Sequence, residues 1–411
     1  MVLSWFASRL NPIAMDIGSE TIKLLQVEPR GGDKNAGAGG DGFRLVAAAC
    51  ETIPEEVRRA PAERDAFVGE AIKRMLGEGF RGKQVVTCLP SAQMAVQHLR
   101  MGKMSGEELT KAIPFEAAGK LPFDPNRALI RHTIAADVFQ GSEAKQEVIV
   151  MAAPREQVDR HLNVLSKAKL EVVGIHVEPT ALIECFSHLF RRKGDEGITT
   201  MFVDIGASAT HVVIAQGKTM MFAKHIPIGG DVLNKKVADA MGVDFKKARE
   251  LRIHASYQQA QASRLPAGVV GIGADANTHP LGKQNSPVPA DAGAGAGGEL
   301  GADAIARINA ATAGVLETLT SDLVMCGRYF ETIAAGRGVD RVIFTGGESR
   351  HVTMCQRVAQ GLGVPATLGD PLARLMKDGV TQTKVDLRQP QPGWAIAVGL
   401  GIGLSPAEAG A

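Results

Sequence analysis

AMDIGSETIKLL (residues 14–25) and FVDIGASATHVVI (residues 202–214) carry the same phrase: apolar residues, aspartate, isoleucine, glycine, small hydroxyl-bearing residues, then a β-like run. In each copy a strand delivers an acid (Asp16, Asp204), then a glycine (Gly18, Gly206). Hydroxyls follow: Ser19 and Thr21 in the first copy, Ser208 and Thr210 in the second. A turn with so little side-chain bulk lets backbone N–H groups approach phosphate oxygens. An aspartate at the strand end can hold, through water, the Mg2+ that accompanies a polyphosphate, because that ion keeps much of its hydration shell. Lys23, seven residues after Asp16, can return along the hairpin to the phosphates as a positive charge. One such hairpin reads as readily as an ordinary β-turn. Two, in matching contexts, read as a clamp on a single nucleotide.

Bulk composition narrows the class of protein. A chain of 411 residues has room for two to four structural units, because single cores stop growing well below that size. With 45% apolar and 22% charged residues it can bury sizeable cores. Lys and Arg number 46 against 44 Asp and Glu, so no global field favours nucleic acid or anionic lipid. Aromatics at 4% leave few platforms for stacking bases, and no nucleic-acid partner is expected. The five cysteines (Cys50, Cys88, Cys185, Cys326, Cys355) are scattered and never paired as C-x-x-C. That pattern reads as reduced, mostly buried thiols and spells out no zinc site. MVLSWFASRLNP at the start has no basic residue ahead of its apolar stretch and is interrupted by Arg9. It is too short and wrongly flanked for a signal peptide or a span, and no later segment offers roughly 18 apolar residues in a row. The expectation is a cytoplasmic protein with no direct membrane insertion.

The chain orders itself around the two copies. The first reads as a strand, a tight turn at Gly18-Ser19 and a second strand, IKLLQVE. Gly-rich residues 31–42 read as flexible, and FRLVAAACETI resumes as a strand. ERDAFVGEAIKRML sets Phe67, Ala71, Ile72, Met75 and Leu76 at helical spacing, and KQVVTCLP is strand-like. From about 85 to 165 the rhythm changes. Strand MAVQHLRM precedes a helix over SGEELTKAIPFEAAGKL, with a Ser cap, an acidic first turn and a bend at Pro114. LIRHTIAADVF and QEVIVMAAP read as paired strands, and PREQVDRHLNVLSKAKL as an amphipathic helix with Val158, Leu162 and Leu165 on one face. We read 85–165 as an inserted α+β block between a first unit, 1–84, and its return over 166–195. A second unit opens over 196–230, continues through helices to 335, and returns over 336–411. Within it, residues 264–300 are rich in Ala, Gly and Pro and are expected to be disordered. AIARINAATAGVLETLTSDLVMCGRYFETIAA reads as a long helix, or two.

Other motifs add to or subtract from the clamp. GAGAGG (293–298) formally fits G-x-G-x-x-G, but it follows no strand and opens no clear helix, so it reads as linker. A P-loop, a zinc-type His-x-x-x-His pair with glutamate and a G-x-S-x-G elbow are all missing, which leaves hydrolytic metal and serine chemistry without a foothold. VIFTGGESR (342–350) is a strand ending in Gly346-Gly347 before a helix starting near Val352. That junction offers backbone amides and a helix N-terminus to an adenosine or an α-phosphate. GIHVEPTALIECF (174–186) passes from strand to helix with Glu178 at the break, and GWAIAVGLGIGL (393–404) is a small-residue helix suited to close packing.

In this order, DIG…K, VEPTAL, DIG…T, IPIGG, TGGxSR and AxAxGLG resemble the nucleotide site of the actin, Hsp70 and sugar-kinase superfamily. More narrowly, the combination resembles the PilM family, cytoplasmic actin-like proteins of type IV pilus assembly related to FtsA. LTKAIPFEAAGKLPFDPN and VIVMAAPREQVDRHLNVLSKAKLEVVGIHVEP resemble that family's inserted subdomain and return connection. The resemblance implies an α/β chain with the actin-like (ribonuclease H-like) two-lobed ATPase fold and an inserted α+β subdomain. It implies ATP and Mg2+ as cofactors, with Asp16 and Asp204 facing the metal through water. Gly18, Ser19, Thr21, Lys23, Gly206, Ser208 and Thr210 would hold phosphates. Gly346, Gly347 and Glu348 would border the adenosine, with Gly229 and Gly230 on the sugar or phosphate side. Glu178 stands where relatives orient the attacking water, the catalytic role. In KARELR, Arg252 matches the base that relatives present to adenosine, whereas Arg249 stands where their acid is often found. Ala209 replaces the hydroxyl of several hydrolysing relatives, so at most a slow ATPase is expected.

Three functions compete. A docking module would bind the cytoplasmic N-terminal tail of a bitopic, PilN-like inner-membrane protein of a pilus or related type II secretion apparatus. Nucleotide would then shift the closure of its lobes. Such a protein would sit peripherally at the inner membrane through its partner, with room for self-association. The family's partner groove lies between the first subdomain and the inserted block, and the neighbourhood of residues 112–125 is suspected of lining it. A small-molecule kinase would need a carboxylate base facing an acceptor hydroxyl from the first lobe, and none sits in a recognisable acceptor motif. An FtsA-like division filament would carry a tail and an amphipathic membrane helix. Here SPAEAGA follows the last helix, and VLSWFASRL is expected to pack on the core.

Overall fold

The structure, a computed structural model, describes residues 10–29, 42–262, 278–280, 300–377, 380 and 385–403. Two of its sheets follow one plan. In the first, β1 (Ile13–Ile17), β2 (Thr21–Pro29) and β3 (Phe43–Thr52) form an antiparallel meander. On the other side of β1, β4 (Gln84–Cys88) and then β8 (Glu171–His176) add in parallel. The second sheet repeats this: β9 (Thr199–Ile205), β10 (Thr210–Gln216) and β11 (Thr219–Ile226) are antiparallel. Here β13 (Arg341–Thr345) and β14 (Ala366–Gly369) follow in parallel beside β9. A short strand, β12 (Thr278–Pro280), closes the edge against β14.

Strand parity decides what each lobe does with its aspartate. Along β1, Ile13, Met15 and Ile17 pack outward beneath α2 (Pro61–Leu76), where Val68, Ala71, Ile72 and Met75 form the apolar stripe. Ala14 faces the other way, into the layer between the two sheets. Along β9, Met201, Val203 and Ile205 pack outward under α8 (Ala302–Ile333) and α9 (Val352–Leu362), and Phe202 faces inward. Asp16 shares the parity of Ala14, and Asp204 that of Phe202. A side-chain period of two therefore aims both carboxylates at the space between the sheets.

That inner layer holds two helices, α5 (Glu178–Cys185) and α10 (Ala395–Gly403). They cross so closely that a Cβ added at Gly399 would stand 1.8 Å from the Ala181 carbonyl oxygen. Asn11 Nδ2 fastens the end of α10 by donating to the Gly401 carbonyl at 2.7 Å. Around the second sheet, α6 (Gly230–Met241) and α7 (Phe245–Ala262) complete a helical layer with α8, which is one helix of 32 residues.

A third sheet, in the order β5 (Ala95–Gly102), β7 (Glu143–Pro154), β6 (Ala128–Gln140), stands apart from the other two. Its helix α3 (Gly106–Ala117) begins at a capping box in which Ser105 and Glu108 satisfy each other's backbone N–H groups. Leu109, Ile113 and Ala117 pack it onto the sheet, with Pro114 inside the helix. The block is tied to the second lobe by Glu147, a fully buried carboxylate. It accepts from Arg100 Nε at 3.0 Å and from the Tyr329 hydroxyl of α8, and His98 stacks on Phe222 of β11 at 4.8 Å. Next in sequence, α4 (Arg155–Lys167) sends Leu165 into the core under α2, so it belongs with the first lobe, as does the short α1 (Glu55–Arg58) before α2.

Two sequence readings change here. Gln84–Cys88, at the expected edge of the inserted block, belongs to the first sheet, because its buried apolar run pairs in parallel with β1 and β8. Thr278–Pro280, inside the stretch expected to be disordered, forms β12. The rest of that stretch up to residue 299, like residues 31–41 and all of the amino-terminal VLSWFASRL but Leu10, lies outside the described residues.

The crossing of α5 and α10 makes a direct prediction. Gly399→Ala forces a methyl group into the Ala181 carbonyl and should cost about 3 kcal/mol or more. Gly314→Ala, on the exposed face of α8 with nothing within 4 Å of the new carbon, should instead stabilise by about 0.5–1 kcal/mol. Denaturant unfolding of both variants checks the pair.

Candidate functional site

The two aspartate turns are built alike. Gly18 N–H donates to the Thr21 carbonyl at 2.9 Å, and Gly206 N–H donates to the Ala209 carbonyl at 2.9 Å. Both turns open into one cavity of about 1050 Å3 between the lobes. Its walls include Asp16, Gly18, Ser19, Thr21 and Lys23 from the first lobe and Asp204, Gly206 and Ser208 from the second. Glu178, at the first position of α5, joins them, and Gly346, Gly347 and Glu348 complete the far side. Gly346 has φ +90°, and a Cβ there would meet the Ile205 backbone at 2.3 Å, so the turn after β13 can pass behind β9 only with glycine.

Other expected site residues stand behind this wall. The Thr210 hydroxyl donates to the Ile228 carbonyl at 2.7 Å and is fully buried. Gly230 N–H donates to the Gly206 carbonyl at 3.0 Å and Asp231 N–H to the Ala207 carbonyl at 2.7 Å, which fixes the start of α6 to the second turn. Gly229 lies against that same turn, where a Cβ would meet backbone at 2.6 Å. Arg252 is buried, donating to Asn234 Oδ1 and, at 2.7 Å, to Glu348 Oε2. The geometry makes these four supports of the wall; none lines the cavity.

Carboxyls crowd the part of the cavity next to the two turns. Burial, and then the charge of Asp16, pushes Glu178 up to about 8, with Ser91 hydrogen bonds and Lys23 opposing. Burial pushes Asp204 up to about 6, with Glu178 and Asp16 adding to it, while His211 and the Thr345 hydroxyl at 2.9 Å work the other way. For Lys23, burial is the largest influence and acts downward. Asp16 (Nζ to Oδ2 3.4 Å), Cys50 and Asp204 outweigh it, so the ammonium is held above its usual range. Carboxylates crowded at the turns, with Lys23 among them and Lys235 and several arginines on the remaining walls, can take a divalent cation together with an anionic ligand. Among the described residues no group of three or more His, Cys, Asp or Glu side chains is arranged to hold a metal by itself.

His211 and Arg58 had no reading in the sequence. His211 pairs across the hairpin with Asp204, as Lys23 pairs with Asp16, and each follows its aspartate by seven residues. That repeated spacing is the signal that could have found it. His211 Nδ1 lies 3.1 Å from Glu178 Oε2, and burial lowers its proton affinity. Arg249 reaches across the cavity mouth to Glu20 of the first turn at 2.6 Å. Arg58 joins the same cluster, 2.8 Å from Glu20 and 3.6 Å from Asp231. These pairs link the two lobes at the mouth.

Comparison with known proteins agrees with this architecture. The family model described as type IV pilus assembly protein PilM matches residues 14–265. A solved PilM-PilN type IV pilus biogenesis complex aligns with TM-score 0.70 at 20% identity, covering 96% of this chain and 98% of that one. The ethanolamine utilization protein EutJ from Carboxydothermus hydrogenoformans gives TM-score 0.48 at 11% identity over 97% of this chain and 90% of that one, too low to weigh on the assignment. The fold is the actin-like two-lobed α/β fold. Matched over more than half its length by the family model, the chain belongs to the type IV pilus assembly protein PilM family.

Proposed function

We propose that this chain is an ATP-binding docking module of type IV pilus assembly. The observation that carries the reading is the convergence of two like-built aspartate turns, one from each lobe, on a single cavity. Turn amides and Lys23 would take the phosphates, with Asp16 and Asp204 holding hydrated Mg2+, which neutralises the triphosphate and relieves the repulsion among the wall carboxylates. Closing the lobes on that ligand shifts a pre-existing equilibrium by no more than the ligand's preference for the closed form. Glu178 is the residue to orient a water, and Ala209, standing where hydrolysing relatives carry a hydroxyl, supports slow turnover.

The partner we assign to this module is the cytoplasmic tail of a PilN-like inner-membrane protein, by analogy with the solved complex. No described helix is long and apolar enough to cross a membrane, so attachment through a partner supplies membrane association. A second cavity of about 1470 Å3 runs between α2, α4 and the segment Phe123–Arg127 at the base of the inserted block. Its walls mix apolar and charged groups, among them Ala66, Phe123, Val164, Lys73, Glu156 and Lys167. Phe123 and Asp124 fall within the neighbourhood suspected from the sequence. We take this groove as the seat of the tail.

Three measurements test the reading. Mg·ATP titrated calorimetrically into the intact chain should bind one to one, and Asp16→Asn or Asp204→Asn should weaken it about ten- to a hundredfold. With EDTA present, the variants should bind ATP no worse than the unmodified chain; equal losses in both conditions would remove the metal role. Gly69→Leu places bulk at a groove-lining position with nothing within 4 Å, so tail binding should fall at least about tenfold while the fold persists. Undiminished binding would move the tail elsewhere. Folding raises the Glu178 pKa from 4.5 to about 8, so the folded chain holds a proton that the unfolded chain releases across that window. Buried His161, His188 and His351, lowered from 6.5 to about 4, act the other way below about pH 6.5, so the melting temperature of the nucleotide-free chain should decline from about pH 6.5 to pH 8, and Glu178→Gln should flatten that slope. An unchanged slope would contradict the burial of that carboxyl.

A further inference from the structure

The nucleotide cavity and the tail groove share a wall. Asp65, on α2, and Arg160, on α4, line both. Arg160 Nε donates to Asp65 Oδ2 at 2.5 Å, crossing from one helix to the other. One residue before Asp65, Arg64 turns into the nucleotide cavity, and its Nη2 donates to the Gly18 carbonyl at 2.9 Å. Gly18 opens the first aspartate turn, and its own N–H closes that turn on Thr21. The groove is thus joined to the phosphate turn by two hydrogen bonds and one peptide link: Arg160 to Asp65, Asp65 to Arg64, Arg64 to Gly18.

This connection has a mechanical consequence. α2 begins at Pro61, so Arg64 and Asp65 lie in its first two turns, Arg64 N–H donating to the Ala60 carbonyl at 2.9 Å. What fixes them laterally is the Arg160 contact on one side and the Gly18 contact on the other. A peptide seated between α2 and α4 fastens those helices to each other. The Asp65–Arg160 pair carries that restraint to Arg64, and Arg64 holds the carbonyl of the turn whose amides meet phosphate.

Resting on the docking reading above, we propose that Asp65 and Arg160 are positioning residues that couple the two sites, so that an occupied tail groove tightens nucleotide binding and nucleotide tightens the tail. The two effects are equal because linkage is reciprocal. The gain comes from pre-organisation of the Gly18 turn, with no contact between the two ligands.

The test uses the full-length chain, a fluorescent ATP analogue with Mg2+, and a synthetic peptide of the cytoplasmic N-terminal tail of the same cell's PilN-like protein. Peptide binding is measured first, then analogue affinity with and without saturating peptide. The expected ratio of the two affinities is at least about fivefold. Asp65→Arg and Arg160→Asp, each alone, should bring that ratio close to one, and the double swap, which restores an opposite-charge pair, should regain most of it. A merely structural role would lower both affinities without moving the ratio. A peptide that does not bind overturns the docking reading and this proposal with it. A bound peptide with a ratio of one, single variants that keep the full ratio, or a folded swap that binds both ligands at a ratio of one would overturn the coupling alone. Melting curves of each variant establish that it is folded.

Discussion

Asp16, Asp204 and Glu178 crowd together beside Lys23 in one cavity between the lobes, and the rest of the molecule is arranged around that crowding of carboxyls. Like charges cannot all stay ionised when removed from water, so burial raises two of the three carboxyls. A hydrophobic isostere would remove the penalty at any of the three positions. Retaining three acids in one cleft makes sense if a cation is their counterpart, and a polyphosphate is the natural carrier of that cation. The electrostatics and the backbone geometry both support the proposed metal–nucleotide ligand.

The fold exists to bring those acids together from remote parts of the sequence. Each lobe uses an identical device: an outward-facing apolar row beneath a helix, an inward-facing small or aromatic residue, and an aspartate on the inward row at the strand end. The lobes meet on α5 and α10, whose close crossing leaves the strands' ends as the place where a cleft can open. The ion pairs of Glu20 with Arg249 and of Arg58 with Asp231 span the mouth of that cleft. The inserted sheet, anchored to α8 through Glu147 and Tyr329, rests on the second lobe while its base meets α2 and α4 of the first. Relative movement of the lobes would therefore be felt at the groove.

Much of this was legible from local pattern. Period-two alternation and the Asp-Ile-Gly repeat are encoded within a dozen residues, so both hairpins could be read directly, as could Ser105 capping α3. The glycine junction after β13 and the small-residue helix near the end are equally local. What escaped depended on partners far away in sequence. Gln84–Cys88 could be assigned to the first sheet only by knowing that β1 and β8 flank it. Thr210, Gly229, Gly230 and Arg252 were expected at the ligand because they belong to the right motifs. The packing of Gly229 on the second turn and the pairing of Arg252 with Glu348 set them one layer back. Arg64 and Asp65 carry no motif at all. Their place follows from Gly18 and Arg160, 46 and 95 residues away.

The central claim, one metal–nucleotide shared by both lobes, is tested most directly by crystallising the chain with a non-hydrolysable ATP analogue and Mn2+ and recording anomalous scattering. The account predicts a single Mn2+ peak in the cleft, joined through water to both Asp16 and Asp204, with the triphosphate lying along the two glycine turns. A nucleotide bound outside the cleft, or a metal held by one lobe with the other aspartate turned away, would contradict it.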